Sequence, residues 1–234
     1  MLPVAILAGG LATRLRPLTD TIPKALVEVA GTPFIARQLD YLRRQGAGRV
    51  VLCVSHLGEQ IEAMVGDGAR FGLEVRYSFD GPKRLGTGGA LLNALAQLGE
   101  GFFVLYGDSF LPIDFSAVER SFVASGKPAL MTVLQNRDRW DKSNVDYRDG
   151  RLVEYNKHHP RSEMGYIDYG LSILTRQALA RYPADQALDL ADVFHALSIA
   201  GLLAGHEVFE RFYEIGSHQG LVETEDYFMR QART

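Results

Sequence analysis

The chain has 234 residues, of which 47% are hydrophobic and 23% are charged, and its formal net charge is −3. This balance is typical of a globular protein with a sizeable core, and the small negative charge argues against a general nucleic-acid partner. No stretch approaches the roughly 18 apolar residues of a membrane span, and the N-terminus lacks the basic segment of a secretory signal. We therefore expect a cytoplasmic protein without a membrane partner, folded as one domain over residues 1–234.

Apolar runs and amphipathic segments alternate over the first part of the chain. The runs predict strands at 4–7, 50–54, 74–77, 102–106 and 129–134, and the segments between them predict helices at 33–44, 57–65, 89–98 and 115–124. Alternation of this kind is typical of right-handed βαβ units. We predict an α/β fold, a Rossmann-like three-layer sandwich with a mostly parallel central sheet, and expect ligands at the carboxyl ends of its strands.

The pattern changes after residue 135. The next segments predict an antiparallel hairpin with strands at 145–148 and 152–156, a strand at 169–174, and helices near 176–182 and 190–204. A short strand pair near 208–215 and a final helix at 220–230 complete the chain. We interpret residues 135–234 as a small antiparallel insertion and a cover over the sheet, where a second ligand would be held.

The first strand leads into a glycine-containing turn that is followed by cationic residues. Gly9 and Gly10 allow backbone N–H groups to approach a ligand, and Arg14, Arg16 and Lys24 supply positive charge at the same strand end. This arrangement predicts an anion-binding site. It is neither a P-loop, which needs Gly-Lys-Ser/Thr at the start of a helix, nor the dinucleotide fingerprint G-x-G-x-x-G.

Residues 7–17 and 23–26 resemble the signature of the nucleoside-diphosphate-sugar pyrophosphorylases, or sugar-1-phosphate nucleotidylyltransferases, which reads G-G-x-G-T-R-L-x-P-L-T followed by P-K-x-L. Ala12 stands where many members have glycine, so we expect it to keep an ordinary backbone conformation. The resemblance implies that residues 1–134 bind the nucleotide and residues 135–234 bind the sugar phosphate. The implied nucleotide-binding residues in the first turn are Leu7, Ala8, Gly9, Gly10, Thr13 and Arg14.

A second glycine-rich turn, at residues 85–91, opens the helix predicted at 89–98. It is similar to the family motif L-G-T-A/G-G-A-L, which contacts the base and ribose, and this implies that Gly86, Thr87 and Gly88 bind the nucleotide. A helix N-terminus favours an anionic ligand because its first N–H groups are unpaired. Such turns are common by chance, and this one gains weight from its place between the first motif and the next.

Asp108 follows the apolar strand 102–106 and Gly107, so its carboxylate is expected in the binding crevice. A hard oxygen ligand at that point suits Mg²⁺, and the resemblance implies that Asp108 is a metal ligand. The alternative is an aspartate that merely ends a strand through an Asx-turn. A second metal ligand is implied at Glu214, in the run 212–217, where family members commonly show W-x-D-x-G-T.

The resemblance also implies a set of residues that bind the sugar phosphate. Lys157 takes the place of a family lysine that contacts the sugar phosphate, and a solvated surface lysine is its alternative. Asn144, Asp168 and Gly170 fall where the family lines the sugar pocket, with ordinary hairpin residues as the alternative.

The implied reaction is attack by a sugar 1-phosphate on the α-phosphate of a nucleoside triphosphate, with release of pyrophosphate. Catalysis then requires positioning and charge neutralisation, and we expect Arg14, Lys24 and Asp108 to supply both with Mg²⁺ as cofactor. The second half is most similar to short guanylyltransferases that act on D-glycero-α-D-manno-heptose 1-phosphate, so GTP and this sugar are expected. Mannose 1-phosphate with GTP, or UTP or dTTP with another hexose 1-phosphate, are alternatives.

Two other classes of function are weighed against this reaction. A non-catalytic subunit that binds a nucleotide sugar would tolerate loss of the phosphate-handling residues, yet all of them are present. A glycosyltransferase would be expected to carry a D-x-D motif, and residues 108–110 lack the second aspartate. The sequence carries no signal for a particular oligomeric state, and a homodimer is the assembly that we consider.

Overall fold

The computed structural model describes residues 1–10, 13–81, 83–184 and 186–232. The prediction for Ala12 and the side chain of Thr13 lie outside the described part of the chain. The strands are β1 (Val4–Leu7), β2 (Glu28–Val29), β3 (Thr32–Pro33), β4 (Arg49–Val54), β5 (Glu74–Phe79), β6 (Gly101–Tyr106), β7 (Ser109–Phe110), β8 (Ala129–Gln135), β9 (Val145–Arg148), β10 (Arg151–Tyr155), β11 (Tyr166–Thr175), β12 (Leu203–Val208) and β13 (Tyr213–Glu214).

The helices lie between these strands and at the end of the chain. They are α1 (Phe34–Arg44), α2 (Gly58–Val65), α3 (Gly86–Leu98), α4 (Phe115–Ser125), α5 (Arg176–Leu179), α6 (Leu190–Ile199) and α7 (His218–Gln231), and 3-10 helices span Thr13–Leu15, Lys24–Leu26 and Ala69–Phe71. None of the helices within the described ranges is long and apolar enough to cross a lipid bilayer.

The central sheet is organised around β1. Its neighbours β4 and β6 both run parallel to it, with Ala5 opposite Val51 on one side and Val104 on the other. β5 continues the parallel region beyond β4, so the order there is β6-β1-β4-β5. The mostly parallel α/β sheet predicted for the first half is therefore confirmed. The carboxyl ends of these strands meet at one edge of the sheet.

Successive residues of β1 pack on opposite faces of the sheet, because side chains alternate along a strand. Val4 and Ile6 are buried in a core that includes α1, α2 and α4, whereas Ala5 faces a second core built with α3, α5 and α6. All three of these β1 side chains are inaccessible to solvent. The three-layer arrangement follows from this burial on both faces.

The second half of the chain adds strands to the same sheet. β11 pairs antiparallel with β6 on one side and with β8 on the other, and β12 runs parallel to β8. β9 and β10 form the predicted hairpin through Asp149 and Gly150, both at positive φ. β9 also meets β11 where Tyr166 lies opposite Val145. The insertion is thus continuous with the central sheet.

Three predicted elements of the second half differ from the structure. The helix predicted at 190–204 ends at Ile199, because Gly201 takes a φ of 70° and the chain then returns along β8 as β12, burying Leu203. The strand pair predicted near 208–215 is wrong, since β12 ends at Val208 and β13 pairs with β7. The helix predicted near 176–182 is shorter in the structure, where α5 spans only Arg176–Leu179.

Helix α7 secures the segment that carries β13. The side chain of Ser217 caps the helix by accepting a hydrogen bond from the N–H of Gly220. Further along, Phe228 packs against Phe110 of β7 with 4.7 Å between ring centroids, inside a third core that includes Phe34. This packing holds residues 214–217 beside the loop that follows β6.

Candidate active site

A cavity of about 320 Å³ opens at the carboxyl ends of β1 and β6, where the parallel fold predicts a ligand site. Its walls come from the loops after β1, β5 and β6, from the Lys24–Leu26 turn and from the start of α3. The lining residues are Leu7, Ala8, Gly9, Gly10, Lys24, Ala25, Asp80, Arg84, Gly86, Thr87, Ala90, Tyr106, Gly107 and Asp108. The two glycine-containing turns and the loop with Asp108 therefore share one cavity.

The structure separates the predicted site residues into two groups. Those that line the cavity are Leu7, Ala8, Gly9, Gly10, Lys24, Gly86, Thr87 and Asp108. Those whose side chains or backbone lie outside its wall are Arg14, Gly88, Asn144, Lys157, Asp168, Gly170 and Glu214. Contact of either group with a ligand stays a prediction.

Asp108 and Lys24 form an ion pair at the edge of the cavity. The ammonium Nζ of Lys24 donates to Oδ2 of Asp108 at 2.6 Å, although 84 residues separate them in the chain. The Lys24 side chain is 14% exposed and that of Asp108 is 34% exposed. Ser109 Oγ donates to the other carboxylate oxygen of Asp108 at 3.2 Å. A cation and an acid thus face the same cavity.

The position of Asp108 depends on a close approach between two loops. Gly107 N–H donates to the carbonyl of Leu7 at 3.0 Å, and a Cβ on Gly107 would stand 2.9 Å from that same oxygen, so only glycine fits without movement. Gln38 on α1 supports the same loop, because its side-chain amide donates to the carbonyls of Tyr106 and Ser109. Gln38 is only 2% exposed, and no local sequence signal marked it as part of the site.

Glu214 lies next to this loop through β13. The N–H of Ile215 donates to the carbonyl of Asp108 at 2.9 Å, which joins the two predicted metal-binding segments. The carboxylate of Glu214, however, turns back to its own chain. It accepts a hydrogen bond from Ser217 Oγ at 2.7 Å and another from the N–H of Gly216.

Gly216 marks the place where the cationic residues gather. The point at which a Cβ would stand on Gly216 is 3.0 Å from Nζ of Lys24 and 3.5 Å from Nη2 of Arg14. Glu214 contacts the same point. Arg14 therefore lies beside Lys24 and Glu214 although it does not line the cavity. Two cations and two acids, predicted from separate motifs, come together here.

The residues present fit a magnesium ion held partly by a ligand. Among the residues that the structure describes, no group of three or more His, Cys, Asp and Glu side chains converges on one point. Mg²⁺ usually needs only one or two carboxylates together with substrate phosphates. Asp108 meets this requirement because it lines the cavity. Glu214 would first have to release the hydrogen bonds of its own turn.

The second glycine-rich turn packs against the other half of the chain. The N–H groups of Gly88 and Gly89 both donate to the carbonyl of Leu188, at 2.8 and 3.2 Å, and Leu188 N–H donates to Leu85. Two of the four N–H groups that begin α3 are therefore paired with the chain itself, while Gly86 and Thr87 line the cavity. Gly88 is buried in this contact.

We expect Gly86→Ala to destabilise the fold. Gly86 has a φ of 73°, and a Cβ there would stand 2.6 Å from the carbonyl oxygen of Leu188. The strained backbone and the steric overlap together should lower the free energy of unfolding by about 2–4 kcal/mol, measured by urea denaturation. Gly99→Ala is the matched control, since Gly99 has a φ of 84° with no atom near its Cβ position. Equal losses in both variants would contradict the role of Leu188.

Asp189 connects the cavity to the predicted sugar-phosphate lysine. Its Oδ1 accepts hydrogen bonds from Thr87 Oγ1 and from the N–H of Ala191, both at 3.0 Å, and Leu190 N–H donates to Thr87 Oγ1. Its Oδ2 lies 3.8 Å from Nζ of Lys157. Lys157 is therefore paired with an acid that also fixes the second glycine-rich turn.

The remaining predicted sugar-binding residues form one hydrogen-bonded unit. Asp168 accepts from the N–H of Gly170 and donates its own N–H to Oδ1 of Asn144, each at 3.0 Å. Burial raises the pKa of Asp168 to about 6, against the opposing effects of the Gly170 N–H and the charge of Lys157. Burial raises the pKa of Tyr106 too, and the nearby charge of Asp168 adds to it. Since Tyr106 lines the cavity, this unit adjoins it.

We expect Asp168→Asn to change the pH dependence of stability. The pKa of Asp168 is about 6 in the folded chain and near 3.8 when exposed, so the folded state binds the proton more tightly and loses stability as pH rises from about 4 to 6. Asn removes this loss and still accepts from Gly170. The variant should match the wild type at pH 4 and exceed it by about 2 kcal/mol at pH 7.

Urea denaturation across this pH range measures the difference between Asp168→Asn and the wild type. Asp149→Asn serves as the control, because Asp149 is an exposed acid in the hairpin turn and the same substitution should leave the pH profile unchanged. A stability difference that is constant between pH 4 and pH 7 would contradict the assignment to Asp168.

Three cavity residues were not singled out in the sequence. Asp80 and Arg84 belong to the loop between β5 and α3, and Tyr106 is the last residue of β6. The sequence predicts Tyr106 only as the last residue of an apolar strand. The loop residues carry no motif, and the only available signal was that Asp80 follows a strand of the parallel region.

Together, the parallel sheet and the glycine-rich turns, lysine and acid at its carboxyl edge are typical of a nucleotide-binding α/β protein. The chain belongs to the nucleotidyl transferase family, whose family model matches residues 4–147. It is 43% identical over 113 residues to N-acetylmuramate alpha-1-phosphate uridylyltransferase of Neisseria meningitidis serogroup B, which covers 48% of this chain and 49% of that protein.

Two further relatives cover more of the chain. D-glycero-alpha-D-manno-heptose 1-phosphate guanylyltransferase of Campylobacter jejuni is 33% identical over 172 residues, or 73% of this chain and 75% of that protein. The crystal structure of HddC from Yersinia pseudotuberculosis complexed with GMP-PN is 26% identical, with a TM-score of 0.79 over 97% of this chain and all of that one. The chain nevertheless spans only about half the length of several curated relatives, such as the Neisseria protein.

Proposed function

We propose that the protein transfers a nucleotidyl group from a nucleoside triphosphate to a sugar 1-phosphate, forming a nucleoside-diphosphate sugar and pyrophosphate. The observation that carries the proposal is the Lys24–Asp108 ion pair at the edge of a cavity between two strand ends, with Arg14 beside it. The family to which the chain belongs supports the same class of reaction.

In this reaction a phosphate oxygen of the sugar 1-phosphate bonds to the α-phosphorus, and the bond from that phosphorus to the pyrophosphate oxygen breaks. The attacking oxygen is already ionised, so no protein nucleophile or base is needed. The chain must align two polyanions and neutralise their charge. Lys24, which lines the cavity, is assigned to the α-phosphate and Arg14 to the departing pyrophosphate.

The acids have a different task. Asp108 would hold Mg²⁺ at the cavity edge, and Glu214 would join it once free of its own turn. The ion supplies charge neutralisation of the triphosphate. In the structure the ammonium of Lys24 neutralises Asp108 instead, at 2.6 Å. Mg²⁺ held by Asp108 would leave the Lys24 ammonium available to a phosphate.

The acceptor subsite is assigned to the second half of the chain. Lys157 would receive the sugar phosphate, and the unit of Asn144, Asp168 and Gly170 would bind sugar hydroxyls. The ion pair between Lys157 and Asp189 supports this assignment, because Asp189 also accepts a hydrogen bond from Thr87 at the cavity wall. Lys157 is 56% exposed and is therefore accessible to an incoming anion.

For the substrates we propose GTP and D-glycero-α-D-manno-heptose 1-phosphate. The Campylobacter relative with that printed activity aligns with 73% of the chain, which supports this pair. The Neisseria relative carries a uridylyltransferase name at higher identity over a shorter segment. GTP with mannose 1-phosphate, and UTP or dTTP with another hexose 1-phosphate, are the alternatives that must be measured against it.

The proposal is tested by pyrophosphate release from a matrix of nucleoside triphosphates and sugar 1-phosphates in the presence of Mg²⁺. Turnover with at least one pair, abolished by EDTA and restored by added Mg²⁺, is the expected result. Binding of a nucleoside-diphosphate sugar without turnover of any pair would contradict the proposal. That outcome would favour the non-catalytic subunit.

A further inference from the structure

Residues 156–161, which we call the Lys157 segment, follow β10 without forming a helix or a strand. Such a segment has no regular ladder of backbone hydrogen bonds to fix its position. Lys157 itself is 56% exposed, and its ammonium lies 3.8 Å from the carboxylate of Asp189. A flexible side chain of this kind presents its charge at one point only if the backbone beneath it is held in place.

The carboxylate of Glu154 contacts both ends of the Lys157 segment. Its Oε1 accepts a hydrogen bond from Nδ2 of Asn156 at 3.2 Å, and its Oε2 lies 2.7 Å from Nη2 of Arg161. Asn156 in turn accepts the N–H of His159 at 2.9 Å. Glu154 is only 12% exposed and belongs to β10, so the sheet fixes its place. The segment that carries Lys157 is therefore closed at both ends on one buried acid.

A second buried acid, Asp146, shows that the role of Arg161 is specific to Glu154. Asp146 is 3% exposed, and Arg148 donates to both of its carboxylate oxygens, at 2.7 and 2.8 Å. Arg161 approaches Asp146 only to 3.5 Å. Asp146 would thus keep its main partner if Arg161 were lost. Glu154 has no other ion pair with the residues that the structure describes, and an unpaired buried charge is unfavourable.

The other contact that holds the Lys157 segment is weaker. Nε2 of His158 lies 3.3 Å from Oδ1 of Asp192 at the start of α6, and these side chains are 52% and 60% exposed. Exposed ion pairs contribute little because water screens them. The guanidinium of Arg161 is also about half exposed, but its acceptor Glu154 is largely buried. The pair of Arg161 with Glu154 is therefore the stronger anchor of the segment.

We propose that Arg161 is a positioning residue, which acts through Glu154 to hold Lys157 where its ammonium meets the phosphate of the sugar 1-phosphate. The inference rests on the proposed function and adds to its acceptor subsite a residue that does not touch the substrate. Arg161 closes the segment, Glu154 transmits the position of the sheet, and Lys157 makes the contact.

The first test compares the two substrates of Arg161→Met. The kcat/KM for the sugar 1-phosphate should fall by about 10- to 100-fold, the effect of displacing a binding group by about 1 Å. The KM for the nucleoside triphosphate should not change, because the two glycine-rich turns do not contact Arg161. Arg161→Lys keeps a cation near Glu154 and should recover part of the loss. Arg151→Met is the matched control, since Arg151 is exposed at the start of β10, and should behave as the wild type.

The double variant Lys157→Met/Arg161→Met tests whether Arg161 acts through Lys157. Once the ammonium is absent, its position no longer matters, so Arg161→Met should cause no further loss in the Lys157→Met background. Multiplicative losses would mean that Arg161 acts independently and would overturn the inference. Equal increases in the KM of both substrates for Arg161→Met would also overturn it, because they would indicate a general disturbance of the fold.

Hydrogen exchange measured by mass spectrometry tests the anchor without any turnover. In Arg161→Met, the amides of residues 156–161, including that of His159, should exchange about tenfold faster, while β9 keeps its wild-type rates. Unchanged exchange in the Lys157 segment overturns the inference.

These measurements separate failure of the inference from failure of the proposed function. If no pair of substrates turns over, the proposed function is contradicted, and faster exchange in Arg161→Met still supports Arg161 as the anchor of the Lys157 segment. If the wild type turns over a pair and Arg161→Met has an unchanged kcat/KM for the sugar 1-phosphate, the inference is overturned while the reaction class stands.

Discussion

Replacing Asp108 with Asn should lower kcat by about 10²- to 10³-fold, the effect of removing one charged group that stabilises a phosphoryl-type transition state. Asn keeps the size of Asp108 and can still accept from Ser109, but it binds neither a divalent ion nor an ammonium with comparable strength. Pyrophosphate release at saturating substrates measures the loss. The concentration of Mg²⁺ needed for half-maximal rate should also rise.

Two controls distinguish the loss of a functional group in Asp108→Asn from a loss of folding or a general effect of the substitution. Far-ultraviolet circular dichroism and urea denaturation establish that Asp108→Asn is folded, and Asp149→Asn shows the effect of the same substitution on the surface. If folded Asp108→Asn protein retains a rate near that of the wild type, the assignment of Asp108 to the reaction is wrong.

Lys24→Met should lower kcat/KM by about 10²- to 10³-fold, because the ammonium that would neutralise the α-phosphate is lost. Methionine retains much of the aliphatic stem, which matters because the Lys24 side chain is only 14% exposed. The same assay of pyrophosphate release measures the effect. Lys142→Met is the matched control, since Lys142 is exposed in the loop after β8 and should not alter the rate.

The double variant Lys24→Met/Asp108→Asn separates two interpretations of the ion pair. If both residues act on the same bound phosphates, the double variant should lose far less than the product of the two single losses. Independent, multiplicative losses would mean that Lys24 and Asp108 serve separate steps. The pair in the structure would then be a feature of the ligand-free protein alone.

The first half of the fold was predictable because its strands are read from local pattern. Val4–Leu7 is a continuous apolar run, as a strand buried on both faces requires, and the structure has it at the predicted bounds. The second half was harder, because apolar residues in a short run fit a helix or a strand equally well. Leu203 and Ala204 extended the periodicity of α6 in the sequence, yet they pair with β8 after the turn at Gly201.

The site was predictable where a residue belongs to a motif and not where it depends on tertiary contact. Lys24 and Asp108 were found from their motifs, and the structure brings them within 2.6 Å. Gln38 was missed because its role comes from two carbonyls about 70 residues away, at Tyr106 and Ser109. Asp80 was missed because a single acid after a strand has no pattern of its own.

The contact between the carbonyl of Leu188 and α3 predicts whether the first half of the chain can fold alone. This carbonyl accepts hydrogen bonds from Gly88 and Gly89 in the first turn of α3, so a residue about a hundred positions later in the chain completes the beginning of that helix. A truncated fragment ending at residue 134 would lack this carbonyl, and β6 would also lose β11 as its antiparallel neighbour. We therefore expect that the nucleotide half is not an autonomous folding unit and that the two halves unfold in a single transition.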